Sequence, residues 1–273
     1  SCDNFFHRGE IIGPDNRLIG DRIGRYVAGL PQLTGKPRPL VLEIQGSQGS
    51  PPVTDRSSGF RSALRKATGV EVGEVIIADW LRDRAEDELK AYLADGRVPD
   101  LIFAQNDHMA FGAWRALPEA ARRASALVGI DGLPGPDGGL DLVWRGVLSA
   151  TVTCPTGGRE AIIYARSILE HEPGIPKKVF LRTRLITKET LGQSGRDTIP
   201  APSTKRDHPL VLGFSQPGHE SDWRLANADS IRHAAAKAGI SLIMTDADQS
   251  QAKQIADIRN LIARKVDIIA FSP

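Results

Sequence analysis

Residues 210–224, Leu-Val-Leu-Gly-Phe-Ser-Gln-Pro-Gly-His-Glu-Ser-Asp-Trp-Arg, and residues 266–273, Val-Asp-Ile-Ile-Ala-Phe-Ser-Pro, bracket the stretch that decides the fold. Leu210 to Phe214 reads as a buried strand, Trp223 to Ala238 as a helix, and Ser241 to Thr245 as a second strand. A helix from about Gln249 to Arg264 and a strand at Asp267 to Phe271 complete it. Gly239 is placed to stop the first helix. In the second helix Ala252, Ile255, Ile258, Leu261 and Ile262 recur at three- and four-residue intervals, which predicts an apolar face packed on a sheet. Strand, helix, strand, helix, strand is the grammar of a parallel sheet covered by helices.

The same alternation fills residues 39–153. Its strand candidates are Leu40 to Ile44, Val72 to Ile77, Leu101 to Ala104, Ala126 to Ile130 and Ser149 to Val152. Between them Gly59 to Thr68, Arg82 to Asp95 and Met109 to Leu117 read as helices, and each spacer is long enough for a right-handed crossover. Arg159 to His171 looks helical and Lys178 to Thr187 looks like one extended strand. From Leu191 to Asp207, Gly192, Gly195, Pro200 and Pro202 punctuate a polar run without apolar period, which predicts an exposed linker.

Composition narrows the function. Of 273 residues 41% are hydrophobic and 25% charged, the profile of a globular chain with one large or two medium cores. Lys plus Arg number 35 against 33 Asp plus Glu, so no excess of cations is available to neutralise a phosphate backbone, and nucleic acid is not expected as a partner. No apolar run reaches the roughly 18 residues that cross a bilayer, and no signal segment opens the sequence. Cys2 and Cys154 are not arranged as metal ligands; whether they pair is not fixed by sequence.

Nor does a catalytic constellation emerge. No Gly-x-Gly-x-x-Gly follows a strand, and Gly35-Lys36-Pro37 lacks the glycine spacing and the Ser/Thr of a phosphate loop. His7, His108, His171, His208, His219 and His233 show neither metal spacing nor a companion nucleophile, and His108 reads as a polar residue in the first turn of a helix. The expectation is a protein without enzymatic activity, cofactor or metal.

Four pieces of sequence together resemble one family. They are Gly213-Phe214-Ser215-Gln216 with Glu220-Ser221-Asp222-Trp223-Arg224; Gly13-Pro14-Asp15-Asn16 with Ile19-Gly20-Asp21; Leu42-Glu43-Ile44-Gln45-Gly46 with Asp55-Arg56-Ser57-Ser58-Gly59-Phe60; and Ala104-Gln105-Asn106-Asp107-His108-Met109-Ala110 with Gly129-Ile130-Asp131-Gly132-Leu133-Pro134. The set is similar to the type I periplasmic sugar-binding proteins, the ribose-binding-like group, and within it the galactofuranose-binding branch. The resemblance implies an α/β fold of two Rossmann-like lobes, each a parallel sheet covered by helices, joined by a hinge, with a sugar in the cleft. It also implies a circularly permuted order, or else a fragment spanning one binding module and the start of another, because the family's opening stands last here and one helix-strand unit of the first lobe is missing. Residues 13–153 correspond to the second lobe, 154–191 to a helix and strand returning across the hinge, 192–207 to a linker, and 208–273 with 1–12 to the incomplete first lobe.

A sugar presents hydroxyls that want amides, carboxylates and guanidinium forks, and ring faces that want aromatic slabs. Carried over by position, Trp223 and Trp80 match aromatic rings that sandwich the sugar, and the bland alternative is that both are core residues. Asn106 and Asp131 match an amide and a carboxylate that bind hydroxyls; helix capping competes for Asn106. Asp107 is expected to cap or to form a salt bridge. Arg224 agrees with the galactofuranose branch, and Gln216 and Asp79 are secondary contacts. Thr54 stands near an arginine of ribose binders and Thr153 where the galactofuranose branch is acidic, so the ligand is expected to differ in detail. The function implied is non-enzymatic binding of a monosaccharide, galactofuranose-like, by a periplasmic monomer that delivers it to the membrane subunits of an ABC importer. The alternative is the ligand-sensing domain of a histidine kinase or of a lactose-repressor-type regulator.

Overall fold

The computed structural model describes residues 11–192 and 210–272. In chain order its elements begin with β1 (Ile11–Pro14), α1 (Asn16–Val27), α2 (Pro31–Thr34), β2 (Val41–Gln45), α3 (Pro51–Thr68), β3 (Glu74–Ile77) and α4 (Arg82–Leu93). They continue with β4 (Leu101–Ala104), α5 (Asp107–Ala116), α6 (Glu119–Ala124), β5 (Ala126–Asp131), α7 (Gly139–Trp144), β6 (Ala150–Thr153) and α8 (Gly158–Leu169). The last are β7 (Lys178–Leu181), β8 (Leu185–Ile186), β9 (Val211–Gln216), α9 (Asp222–Lys237), β10 (Ser241–Asp246), α10 (Gln251–Ala263) and β11 (Ile268–Phe271).

These elements form two compact units, one of Pro14–Pro155 with 182–192, the other of 11–13, Thr156–Leu181 and 210–272. In the larger unit a six-stranded sheet runs β3-β2-β4-β5-β6-β8, parallel except for β8, which pairs antiparallel with β6. Strands β4 and β5 are buried along their whole length, as a sheet with both faces covered requires, which is why they read as unbroken apolar runs. Leu42, Ile44, Ile102, Met109, Leu127 and Leu142 fill one core, with Leu191 packed against it. Leu191, the first residue of the polar run, is thus packed and not exposed; residues 193–207 of that run lie outside the described residues, as does Cys2.

Helix α1 is absent from the sequence reading, although Asp15 as N-cap and Ile19, Ile23 and Val27 at four-residue spacing signal it. It crosses α3 at close range. A Cβ on Gly20 would lie 2.1 Å from the Arg56 carbonyl oxygen, and one on Gly59 2.1 Å from that of Arg17, so the two glycines let backbone meet backbone. Helix α3 starts at Pro51, not at Gly59, because Pro51 and Pro52 supply a preset first turn. Helices α2, α6 and α7 are short and were not anticipated.

In the smaller unit three parallel strands run β10-β9-β11, with β9 central. Leu212, Phe214, Ile231, Ala235 and Ile162 of α8 form its core. Helix α9 stops as expected: Gly239 takes φ +67° and the Ile240 amide reaches back to the Ala235 carbonyl at 2.9 Å. The expected apolar face of α10 is only partly used. Leu261 is buried under Gly213, whereas Ile255 and Ile262 are 46% and 47% exposed and Ala252 also faces solvent. A sheet of three strands is too narrow to cover all of that face. The single strand expected over Lys178 to Thr187 is in fact two: β7 pairs with β1, β8 with β6, and 182–184 separate them.

Candidate functional site

In the larger unit the carboxyl ends of the parallel strands carry Gly46 after β2, Asp79 and Trp80 after β3, Asn106 after β4, Asp131 at the end of β5 and Cys154 after β6. This is the edge at which open α/β sheets bind ligands. Asp79 and Trp80 both take left-handed backbone angles, φ +48° and +69°, in a turn closed by the Leu81 amide on the Ala78 carbonyl at 2.8 Å. The indole lies so close over Gly46 that a Cβ there would meet three ring atoms at 2.1–2.3 Å. Trp80 is half-buried, packed partly on the core. It is thus neither a free slab nor a pure core residue. Asp79 is committed to an ion pair with Arg84.

Asn106 does cap α5: its Oδ1 accepts from the Met109 amide at 2.7 Å, while its Nδ2 donates to the Trp80 carbonyl at 3.1 Å. One Nδ2 hydrogen remains for another acceptor. Asp131 holds φ +128°, and its carbonyl accepts from the Cys154 amide at 3.0 Å. Under this edge lies Arg56, which the sequence reading placed in a motif but gave no role. Its guanidinium is buried, sits 5.6 Å from the Trp80 ring centroid, and donates to Asn16 Oδ1 at 2.9 Å, to the Gln105 carbonyl at 2.6 Å and to Cys154 Sγ at 3.3 Å. Burial pushes the Cys154 thiol up to about 12 despite the neighbouring arginine. Asp107 is corrected: among the described residues it neither caps nor forms an ion pair, but is fully buried and accepts from the Thr151 hydroxyl and the Gly132 amide, each at 2.7 Å. Thr54 is exposed, and Thr153 is engaged with the Arg184 backbone.

In the smaller unit the carboxyl ends of β9, β10 and β11 carry Gln216, Asp246 and Ser272. Ser221 caps α9 by accepting from the Arg224 amide at 3.4 Å, which sets Trp223 and Arg224 in the first turn. The Arg224 side chain is mostly withdrawn from solvent. It donates to Ser272 Oγ at 2.5 Å and to Glu220 Oε1 at 3.4 Å, and lies 5.7 Å from the Trp223 ring centroid. Gln216 is only 4% exposed; its Nε2 lies 3.5 Å from Asp246 Oδ2 while its Oε1 finds no partner among the described residues. A buried amide oxygen left unmatched costs about 1–3 kcal/mol, which a hydroxyl donor would recover.

One grouping escaped the sequence. His219, Asp246 and Asp248 bring ligand atoms within 4.8 Å of one another, although the histidine spacing gave no sign of it. The parallel register that sets Asp246 beside Gln216 produces it. His219 Nδ1 is 3.0 Å from Asp246 Oδ2, and that hydrogen bond raises the imidazole above its ordinary range. Burial opposes ionisation of Asp246, but hydrogen bonds from the Asp248 amide, His219 and Gln216 hold its carboxyl below the usual value. Lys253 contacts the Asp246 carbonyl and lies 3.8 Å from Asp248, so the trio already carries its own cation.

The periplasmic binding protein domain model matches residues 10–170. The chain belongs to the periplasmic binding protein family. It is 43% identical over 129 residues to the galactofuranose-binding protein YtfQ of Escherichia coli, covering 45% of this chain and 40% of that one. It is 34% identical over 141 residues to the ribose import binding protein RbsB of Salmonella typhimurium, covering 52% and 45%. These matches span less than half the length of either relative. Among solved structures, the fructose-binding periplasmic domain of a hybrid two-component system aligns with TM-score 0.61 at 33% identity, covering 69% of this chain and 61% of that one. The α/β fold with its parallel-rich sheets is the fold of these sugar binders, and the relatives are binding proteins rather than enzymes.

Proposed function

We propose that this periplasmic binding protein relative binds a monosaccharide, galactofuranose-like in character, outside the cytoplasm, and delivers it to the membrane subunits of an ABC importer. The residues proposed as sugar contacts are Trp80, Asn106 and Asp131 in the larger unit and, taken by itself, Gln216, Trp223 and Arg224 in the smaller, with Asp79 fixing the Trp80 turn through Arg84. The observation that carries the reading is that Trp80, Asn106, Asp131 and Gln216 stand at or just beyond the carboxyl ends of parallel strands, and that Trp223 and Arg224 lie in the first turn of α9 with Arg224 bonded to Ser272 after β11. They supply the aromatic faces, amides, carboxylate and guanidinium that sugar recognition needs. We further propose that residues 210–272 play the part of the family's opening lobe, so that the order is permuted. The β10-β9-β11 arrangement, with β9 first in sequence and central in the sheet, supports this.

Calorimetric titration of the full chain with D-ribose, D-fructose and methyl β-D-galactofuranoside tests the proposal. One of them is expected to bind, and Asp131→Ala and Arg224→Ala, one in each unit, each to weaken that sugar about tenfold or more, the loss expected for charge-assisted hydrogen bonds. Absence of heat with all three counts against the proposal, and a sugar indifferent to one of the substitutions counts against that residue as a ligand. A sensing role is the second reading, favoured by the match to the periplasmic domain of a hybrid two-component system.

A further inference from the structure

We infer that Asp107 is a positioning residue for sugar binding, setting the Asp131–Gly132 turn from beneath. The inference rests on the reading of Asp131 as a ligand. Asp131 and Gly132 take φ +128° and +61°, a path that a non-glycine residue at position 131 adopts only when its surroundings impose it. Asp107 Oδ2 imposes it by accepting from the Gly132 amide at 2.7 Å, while Oδ1 accepts from the Thr151 hydroxyl on the adjacent strand. The molecule makes room for this carboxylate: a Cβ on Gly129 or Gly139 would stand 2.2 or 2.0 Å from its oxygens. Two glycines, from β5 and from the start of α7, are thus kept bare around one acid.

The carboxylate is fully buried, and burial raises it to about 7, against the opposing pull of Thr151, the Gly132 amide and the Arg56 charge. Arg56 from α3 and Cys154 after β6 are charged or titratable groups that interact with it electrostatically, His108 is its neighbour in sequence, and Asp131 immediately precedes Gly132; Asp141 of α7 pairs with Arg145, the residue that ends that helix, at 2.8 Å. Ionised, Asp107 holds the Gly132 amide in a charge-assisted bond. Once protonated, its O–H points to Thr151 Oγ1, which turns from donor to acceptor, and the Gly132 bond becomes an ordinary neutral one of about half the strength. The turn is therefore held more firmly above pH 7 than below it.

Two measurements on the full chain test this. Without ligand, the Gly132 amide proton followed by NMR between pH 5.5 and 8.5 should titrate near 7, and should not titrate in Asp107→Asn, which keeps an acceptor but no proton to lose. With the three sugars named above, affinity should be about three- to tenfold higher at pH 8 than at pH 6, the size expected from halving one hydrogen bond. In Asp107→Asn it should be flat across that range and near the pH 6 value. His219 also titrates upward of its ordinary range, and retention of the pH dependence in Asp107→Asn would assign it elsewhere and overturn the inference, as would a Gly132 amide indifferent to pH. A titrating Gly132 with no heat from any sugar supports the role of Asp107 in the turn and overturns the sugar reading instead.

Discussion

Replacing Trp80 by alanine is expected to weaken the proposed sugar binding by about a hundredfold, the loss that follows when an aromatic contact of about 2–3 kcal/mol is deleted from a binding site. The backbone of the turn survives the change, because the Ala78–Leu81 hydrogen bond and the Asn106 contact to the residue 80 carbonyl do not use the indole. Stability falls less than affinity, since the ring is only half-buried. Gly46→Ala is the informative companion. Its methyl would occupy space 2.1–2.3 Å from three indole atoms, so the ring must leave its place although every ring atom is still present. Both variants should lose affinity together in calorimetry while keeping a cooperative thermal transition. If Gly46→Ala binds sugar like the parent, the seat of the indole is irrelevant to the ligand and Trp80 is a core residue after all.

The second large effect is on stability. Gly59→Ala places a methyl 2.1 Å from the Arg17 carbonyl oxygen and 2.9 Å from the Asp21 amide nitrogen, both backbone atoms that no rotamer change can move. Helices α1 and α3 must separate, and overpacking of this kind costs about 3 kcal/mol. Urea unfolding should show the midpoint fall at unchanged slope. Because α3 also carries Arg56, its displacement draws that guanidinium from Asn16, the Gln105 carbonyl and Cys154, and sugar affinity should fall with stability. A loss below about 1 kcal/mol would mean that the crossing relaxes freely, contrary to the close packing of protein interiors.

How much of this was legible depended on whether the deciding physics was local. Strands β4 and β5 announced themselves because burial on both faces leaves no polar alternation, and Gly239 announced the end of α9 because few residues take a left-handed angle cheaply. Helix α1 hid behind Gly20 and Gly24, residues poor in helix propensity, whose reason for being there is the backbone of α3 at Arg56 and Phe60, far away in sequence. The break between β7 and β8 was likewise invisible, since Lys178 to Thr187 has strand composition throughout and only pairing divides it. At the site, the resemblance named residues whose types suit a sugar, but not what holds them. The Gly46 seat under Trp80, the Asp107 bond to Gly132 and the meeting of His219 with Asp246 all join positions at least 25 residues apart, which periodicity does not report.

The thiol under Arg56 has a use of its own. At a value near 12 and out of contact with water, Cys154 is almost never a thiolate in the native state, so alkylating reagents have nothing to attack. Each time the larger unit opens, that sulfur becomes an ordinary cysteine for the duration. The rate at which an alkylating pulse modifies Cys154 is therefore a clock for opening, and a bound sugar that holds the strand ends together should slow it.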